Sequence, residues 1–466
     1  MTDTSYDVRI YAIDVYKGKR TTTHWVRWSV DRIPSKKAFR TAALANSFRA
    51  SLLSAANRGE AFDRETGLPV SMARNANTSS WFAFACSFVD MKWRDAAPGQ
   101  RRTIADALTP ITAALLATTR STPDNAVLRK AMRAAFNTNR RDERHSADVA
   151  AALAWLAQNT RPVSDLAKPD VLRSLLADVE RKLDGKRAAP DTIRLRRITL
   201  GSALDYAVEQ KLLDANPLKE VTTKKRKTVV HQVDRRSVAN PVQARTLLSA
   251  VPGIGRTGGK LVAFFGSMYY AALRPEEASA LRRNHIDLPP RVWDQEAGRW
   301  RVTEWGEIHL TTAAPEIGAE WTDSGRRNEE RGLKHRAEDE GRTAPCSPQL
   351  ALLFYDHFDT FSIAPNGLLF VAERGGRISS TTYGRAWAAA REAVFTPEVV
   401  ASPLAKRPYD LRHACVSTWL NAGVEATRVA EWAGHSLGVL LRVYAKCLDG
   451  GERIARRRVQ ALLDGM

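Results

Sequence analysis

Hydrophobic and polar positions change their period several times along this chain, and each change marks an element. The stretch His24-Trp25-Val26-Arg27-Trp28-Ser29-Val30 alternates. Val26, Trp28 and Val30 share one face and Arg27 and Ser29 the other, as a half-buried strand requires. Residues 6–16 are also strand-like, Lys17-Gly18-Lys19-Arg20 supplies a turn, and residues 34–40 predict a third strand with Lys36, Lys37 and Arg40 exposed. From Thr41 the period becomes helical, with Ala45, Phe48, Leu52 and Ala56 on one face. Residues 1–65 therefore predict a three-stranded sheet on one helix. Its open side, with the basic residues Arg27, Lys36, Lys37 and Arg40, suits either a DNA groove or an ordinary accessory domain.

Residues 66–77, with Gly67, Pro69, Asn75 and Asn77, read as a linker. From Thr78 to Leu218 the pattern is helical and without strands. Segments 78–93, 99–118, 124–136, 146–158, 168–185 and 190–212 are separated by Pro, Asn and Asp breaks. Asp191 is the expected N-cap of the last segment. Arg194, Arg196 and Arg197 in its early turns meet either phosphates or solvent. Residues 221–240 contain Lys224-Lys225-Arg226-Lys227 and few apolar positions, the composition of an exposed basic linker. A further helical domain starts near Pro241. The expected organisation is thus 1–65, a helical domain over 76–220, a linker over 221–240 and a domain over 241–466.

Length agrees with this, since 466 residues exceed one ordinary core. Hydrophobic residues at 44% and charged residues at 26% describe a folded chain. No apolar run approaches the roughly 18 residues that span a bilayer, and no secretory signal is visible, so a cytoplasmic location is expected. Lysine and arginine total 71 against 51 acids, a formal charge of +20. That excess favours a polyanionic partner, DNA before an anionic membrane, for which neither an amphipathic basic helix nor a lipidation motif is present. Cys86, Cys346, Cys415 and Cys447 are scattered without a CxxC pair, so no disulfide framework or zinc site is expected.

The residues that bear chemistry lie in the last 240–450 stretch. They are Arg274 with Glu277, then Lys334 ahead of Arg342, then Tyr409-Asp-Leu-Arg412-His413, then Gly434-His435 with Tyr444 nine residues further on. In order and spacing these segments resemble the tyrosine recombinases, the family of phage and mobile-element integrases. That family carries an Arg followed three residues later by an acid, a Lys on a β-hairpin, a His-x-x-Arg box, a Gly-His pair and a Tyr about nine residues beyond it. Arg274, Lys334, Arg412, His435 and Tyr444 occupy the matching positions. Two features depart from the pattern. Tyr409 stands where the box has His, which suits a hydrogen-bond donor better than an acid–base group, and the hairpin after Lys334 is long.

The resemblance implies a multidomain chain, mainly α with small β elements. It would comprise an arm-type DNA-binding domain, a helical core-binding domain and a mixed α/β catalytic domain. In its chemistry Tyr444 attacks a phosphodiester, and Arg274, Arg412 and His435 donate to the oxygens that gather charge. Lys334 protonates the departing 5′-oxygen. The bond energy stays in a 3′-phosphotyrosine, so neither ATP, a metal nor any other cofactor is required. Partners implied are double-stranded DNA attachment sites, three further copies in a tetramer, and an excisionase or host DNA-bending protein, in association with a bacterial nucleoid. Further DNA contacts are expected from Arg27, Lys36, Lys37, Arg40, Arg194, Arg197, Lys224, Lys225 and Arg226. His413 is expected to point away from the site, and Glu277 to be a structural partner of basic groups. His435 and Tyr444 can converge only if the chain turns between them, at Gly434, Ser436 and Gly438, with helices over 427–433 and 440–446. The competing readings are a type IB topoisomerase-like nicking enzyme and a non-catalytic DNA-binding relative.

Overall fold

The computed structural model describes residues 4–17, 22–70, 72, 79–182, 185–221, 232–333, 340–373, 375–444 and 451–464. The chain forms two compact units, Met1–Lys224 and Lys225–Met466.

The first unit opens with the expected sheet. The alternating segment is the central strand, Thr22–Val30, and Val26, Trp28 and Val30 are buried while Arg27 is exposed. Ile33–Phe39 pairs along one edge of it. The other edge is covered by one broken strand. Val8–Ile10 pairs with 28–30 and Asp14–Lys17 with 22–25. Between Ile10↔Trp28 and Asp14↔Trp25 the broken strand spends one more residue than its partner, which kinks it as a bulge does. Thr41 caps the helix Ala42–Asn57, which lays Ala45, Leu52 and Ala55 on the sheet, with Phe48 edge-on to Trp28 at 5.6 Å.

The register divides the basic residues differently from the expectation. Arg27 pairs with Lys36, so these two share the open face with Trp25 and Tyr16. Lys37 pairs with Val26 on the helix side, where its ammonium lies 4.8 Å from the Phe48 ring centre. Neighbouring strand residues take opposite faces, so Lys36 and Lys37 cannot both be on the open one. Arg40 is exposed just beyond the strand.

Residues 66–70 and Met72 are part of this module rather than the start of a linker. Trp28 Nε1 donates to the Gly67 carbonyl, Pro69 bridges to Phe62, and Leu68 and Met72 pack on the buried aromatic cluster. Residues 73–78 lie outside the described residues.

The helical stretch follows the expected segmentation, with the main helices Trp81–Trp93, Pro98–Ala114, Asn125–Ala135, Ala147–Asn159, Pro169–Val179 and Pro190–Glu209. Three of them begin on a proline at the first position, where its fixed φ is suited to the helix and its missing N–H costs nothing. That explains one correction. Pro190 starts the last helix with Ala189 as cap, so Asp191 is not the N-cap but lies inside the first turn, favourably placed at the positive end of the helix. There it accepts from Arg194. Arg196 turns inward and donates to the carbonyls of Val179 and Arg181. Among the described residues no helix is long and apolar enough to cross a membrane.

In the second unit Asn240 forms a capping box with Gln243, and the helix Pro241–Ala250 begins where expected. It packs with Gly258–Tyr270, Pro348–Thr360 and Ser380–Val394 around Phe264, Phe265, Phe354, Phe370 and Trp387. A three-stranded antiparallel sheet, ordered Arg342–Cys346, Gly306–Leu310, Ile286–Asp287, closes one side of that core. A second cluster gathers Ala272, Cys415, Val416, Trp419, Val429, Ala433, Leu440 and Tyr444.

Gly67 tests whether residues 66–70 and Met72 belong to the N-terminal module. Its φ is +68°, and a Cβ there would stand 2.2 Å from Ser35 Oγ. The left-handed backbone alone costs an L-residue about 1–2 kcal/mol, and the clash adds to it. Gly67→Ala in the full chain is expected to speed amide hydrogen exchange across Thr22–Phe39. Unchanged protection there would return residues 66–70 and Met72 to a linker.

Candidate active site

The site is assembled from four pieces of the second unit. Arg274 stands before the short helix Pro275–Ala278, and its own backbone N–H donates to Glu277 Oε2 at 2.7 Å, as a capping residue at the third helical position allows. The Arg274 guanidinium reaches the other oxygen of the same carboxylate at 2.7 Å. Arg342 begins the strand Arg342–Cys346, whose inward positions are Arg342, Ala344 and Cys346, and its Nη2 also meets Glu277 Oε2 at 2.7 Å. Arg412 lies in the first turn of the helix Asp410–Asn421, with Nη1 4.0 Å from Glu277.

Glu277 is thus a carboxylate ringed by three guanidiniums, with 1% of its side chain exposed. Burial alone would push its carboxyl up. Arg342, Arg274 and Arg412 outweigh that and hold it down at about 2. Burial brings Arg342 down to about 10, which leaves it protonated at neutral pH.

The fourth piece is a helix C-terminus. Ala426–Ala433 ends at Gly434 in the left-handed conformation, and the Gly434 and His435 N–H groups fold back onto the carbonyls of Glu431 and Ala430. The next three carbonyls each accept from one arginine. Trp432 receives Arg342, Ala433 receives Arg412, and Gly434 receives Arg274 at 2.8 Å. The orphan acceptors of a helix end, which also carry its negative dipole charge, thereby solvate the buried cations. Gly434 has no substitute here: φ is +64°, and a Cβ would lie 2.9 Å from Arg342 Nε.

His435 follows at once. Its Nε2 is 2.8 Å from Arg412 Nη2, which fixes Nε2 as the acceptor. Burial first, then the charges of Arg412, Arg274 and Arg342, push its pKa down to about 3, so the ring is neutral at physiological pH. Three cations against one carboxylate leave the cluster with two net positive charges. Among the described residues, Arg342 Nε, Arg412 Nε and His435 Nδ1 are buried donors without a hydrogen-bond partner. Such a cluster is suited to an anion that accepts several hydrogen bonds at once.

The chain then turns and runs into the helix Leu437–Tyr444. The break is at Gly434-His435-Ser436. Gly438 is already helical, so the second helix begins three residues earlier than expected, with Ser436 Oγ accepting from the Val439 N–H. Tyr444 ends it, 1% exposed, its ring centre 6.0 Å from that of His435. Its hydroxyl is 2.8 Å from His413 Nδ1. This corrects the expectation for His413. It lies four residues after Tyr409, so the two share a helix face, with ring centres 5.1 Å apart, and that face is the one turned to Tyr444.

A family comparison accords with this arrangement. The model of the phage integrase family matches residues 240–449.

Residues 240–449 belong to the phage integrase family, that of the tyrosine recombinases.

No curated protein sequence matches the chain. Similar solved structures include the Tn1549 transposon integrase in complex with a circular intermediate DNA, at 14% identity and a TM-score of 0.45, covering 71% of this chain and 98% of that one. Another is the XerH site-specific recombinase bound to its difH substrate, at 12% identity and a TM-score of 0.40, covering 74% and 91%. A third is a lambda integrase tetramer bound to a Holliday junction, at 12% and 0.44, covering 92% and 97%.

Within this integrase domain the fold brings Arg274, Arg412, His435 and Tyr444 together. Tyr409 is half-buried beside them, within electrostatic reach of Arg274. Lys334 lies outside the described residues, as do Lys224, Lys225 and Arg226. Arg194 is exposed and Arg197 half-buried in the first unit. Sequence reasoning gave Arg342 no role and directed His413 away from the site. Arg342 had a signal: on a strand it shares its face with Ala344 and Cys346, which predicts a buried charge in need of a partner.

Glu277 is the group on which stability and pH meet. Breaking a buried ion pair by removing one partner costs about 3–5 kcal/mol, and Glu277→Gln is expected to lose stability in that range at pH 7. The carboxyl is depressed in the folded state, so its contribution is complete above its ordinary value of about 4.5 and disappears as pH falls toward 2. In urea titrations the gap between wild type and Glu277→Gln should therefore narrow across that interval. A gap independent of pH would mean that Glu277 does not carry the charge assigned to it.

Proposed function

We propose that this chain is a site-specific DNA integrase that cuts and rejoins DNA through a 3′-phosphotyrosine at Tyr444. The observation that carries this reading is the convergence of Tyr444 with a buried, net-positive cluster in a phage integrase family domain. A phosphodiester under attack gathers negative charge on its non-bridging oxygens. Arg274, Arg342 and Arg412 are permanent cations with fixed planar donors, and each such preorganised donor is typically worth roughly 3–4 kcal/mol in the transition state. His435, held neutral, adds an N–H at Nδ1 and no further charge. Lys334 is the proposed proton donor to the 5′-oxygen. The energy of the broken bond is kept in the phosphotyrosine, so the reaction needs no cofactor, and the released 5′-hydroxyl reverses it on a new partner strand.

The first unit supplies DNA contacts in this reading. Arg27 and Lys36 sit on an open sheet face beside Trp25 and Tyr16, with the Lys36 ammonium 5.3 Å from the Trp25 ring centre. That surface is proposed to hold distal arm sites, and the helical stretch and Lys224-Lys225-Arg226 the core site. Assembly as a tetramer on two attachment sites, with an excisionase or host DNA-bending protein to set direction, completes the proposal.

Two experiments test it. On a nicked suicide duplex carrying the junction sequence of the encoding element, Tyr444→Phe is expected to bind normally and trap no covalent complex. A trapped complex in that variant would place the nucleophile elsewhere. Residues 73–466 should cleave the same core duplex and lose protection only outside it, since no site residue is removed. Salt should weaken the lost contacts most steeply, because phosphate contacts release counterions. Identical footprints of the full and shortened chains would reassign the N-terminal sheet to protein contact.

A further inference from the structure

We propose that His413 is a catalytic residue, the base that takes the proton of the Tyr444 hydroxyl during strand cleavage and returns it during rejoining; this rests on Tyr444 being the nucleophile. The juxtaposition is direct, with His413 Nδ1 2.8 Å from Tyr444 Oη. In the tautomer protonated at Nε2, Nδ1 accepts from the hydroxyl, the orientation that proton removal needs.

The need for a base is set by the nucleophile. An ordinary tyrosine has a pKa of about 10, so only about one molecule in a thousand is phenolate at neutral pH. The neighbours leave few candidates among the described residues. His435 is occupied at Nε2 by Arg412 and is held neutral by burial and then by three guanidiniums, so it is a donor and a poor proton acceptor. Tyr409, at the first position of the box, is itself a phenol. Among the described residues, the groups that face His413 include the Tyr409 ring from the start of its own helix, Tyr444 from the helix Leu437–Tyr444, and His435 from the turn between. The guanidinium of the adjacent Arg412 is directed to Ala272, Ala433 and His435.

The step balances on these atoms. Tyr444 Oη bonds to phosphorus as its proton passes to Nδ1, and the P–O5′ bond breaks with its electron pair going to the 5′-oxygen. That oxygen takes a proton from a separate acid, Lys334 in the reading above. In rejoining, the 5′-hydroxyl displaces Tyr444, and protonated His413 returns its proton to the leaving phenolate.

The test uses the full chain and single-turnover trapping on the nicked junction duplex. General-base loss typically costs between a hundredfold and ten-thousandfold. His413→Ala is expected to bind DNA as wild type does, to cleave at least about a hundredfold more slowly, and to regain part of the rate when imidazole is added. His413→Asn, which keeps a hydrogen-bond acceptor but cannot take the proton, should be comparably slow and controls for folding. A 5′-bridging phosphorothiolate, whose leaving sulfur needs no proton, should leave both variants slow. Wild-type rates in either variant, or full recovery on the phosphorothiolate, would overturn the assignment. Trapping by Tyr444→Phe would instead overturn the reading beneath it.

Discussion

Three arginines share one buried carboxylate, and the architecture of the second unit is largely the means of making that tolerable. Arg342 and Arg412 have 1% and 0% of their side chains exposed, and charges removed from water to that degree need both a counter-charge and acceptors for their remaining N–H groups. Glu277 supplies the charge. The acceptors come from the one backbone feature that offers several unpaired carbonyls side by side, the end of an α-helix. Gly434 lets that end approach the guanidiniums without a side chain in the way, and its left-handed φ frees three successive carbonyls to face them. The strand register that turns Arg342 inward and the proline that starts the Pro275–Ala278 helix serve the same cluster.

The solvation is incomplete in a directed sense. Hydrogen bonds to carbonyls stabilise the cations without neutralising them, so the charge imbalance persists while most donors are satisfied. Among the described residues, the donors left over belong to Arg342, Arg412 and His435. A fold that merely needed to bury arginines would gain from a second carboxylate. None is hydrogen-bonded to the cluster among the described residues. Positive potential in a low-dielectric setting is what a phosphoryl centre requires, and it also explains why the adjacent histidine stays neutral.

Local patterns made much of this legible in advance. The alternation at 24–30 showed which face of the first sheet is buried, and Pro, Asn and Asp breaks separated the helical segments. Arg274 and Glu277 could be paired by their spacing, and the nine residues from His435 to Tyr444 demanded a turn. The failures have a common physical origin. Asp191 looked like a cap because a cap is a local event, but Pro190 had already set the first helical position. Gly67 looked like linker because its partners, Ser35 and Trp28, are more than thirty residues away. Arg342 and His413 were undervalued because their partners, Glu277 and Tyr444, are brought in by tertiary packing that no short window contains. Element types follow from nearby residues; the pairing of charged groups follows from the fold.

Tyr444 shows how closely the two levels are joined. Its ring belongs to an apolar cluster with Ala272, Cys415, Val416 and Leu440, so packing joins the hydrogen bond to His413 in holding it in place. Close-packed interiors hold a side chain in a low-energy rotamer. The hydroxyl is then carried to His413 by a ring that cannot swing freely. Cys415 sits on the same helix as Arg412 and His413, and Ala272 immediately precedes the Leu273-Arg274 step. Ala272 and Cys415, which help to seat the tyrosine ring, thus stand two and three positions from Arg274 and Arg412. A change in that apolar cluster would displace nucleophile and guanidiniums together, which makes the second core, and not the polar groups alone, the element that sets their relative geometry.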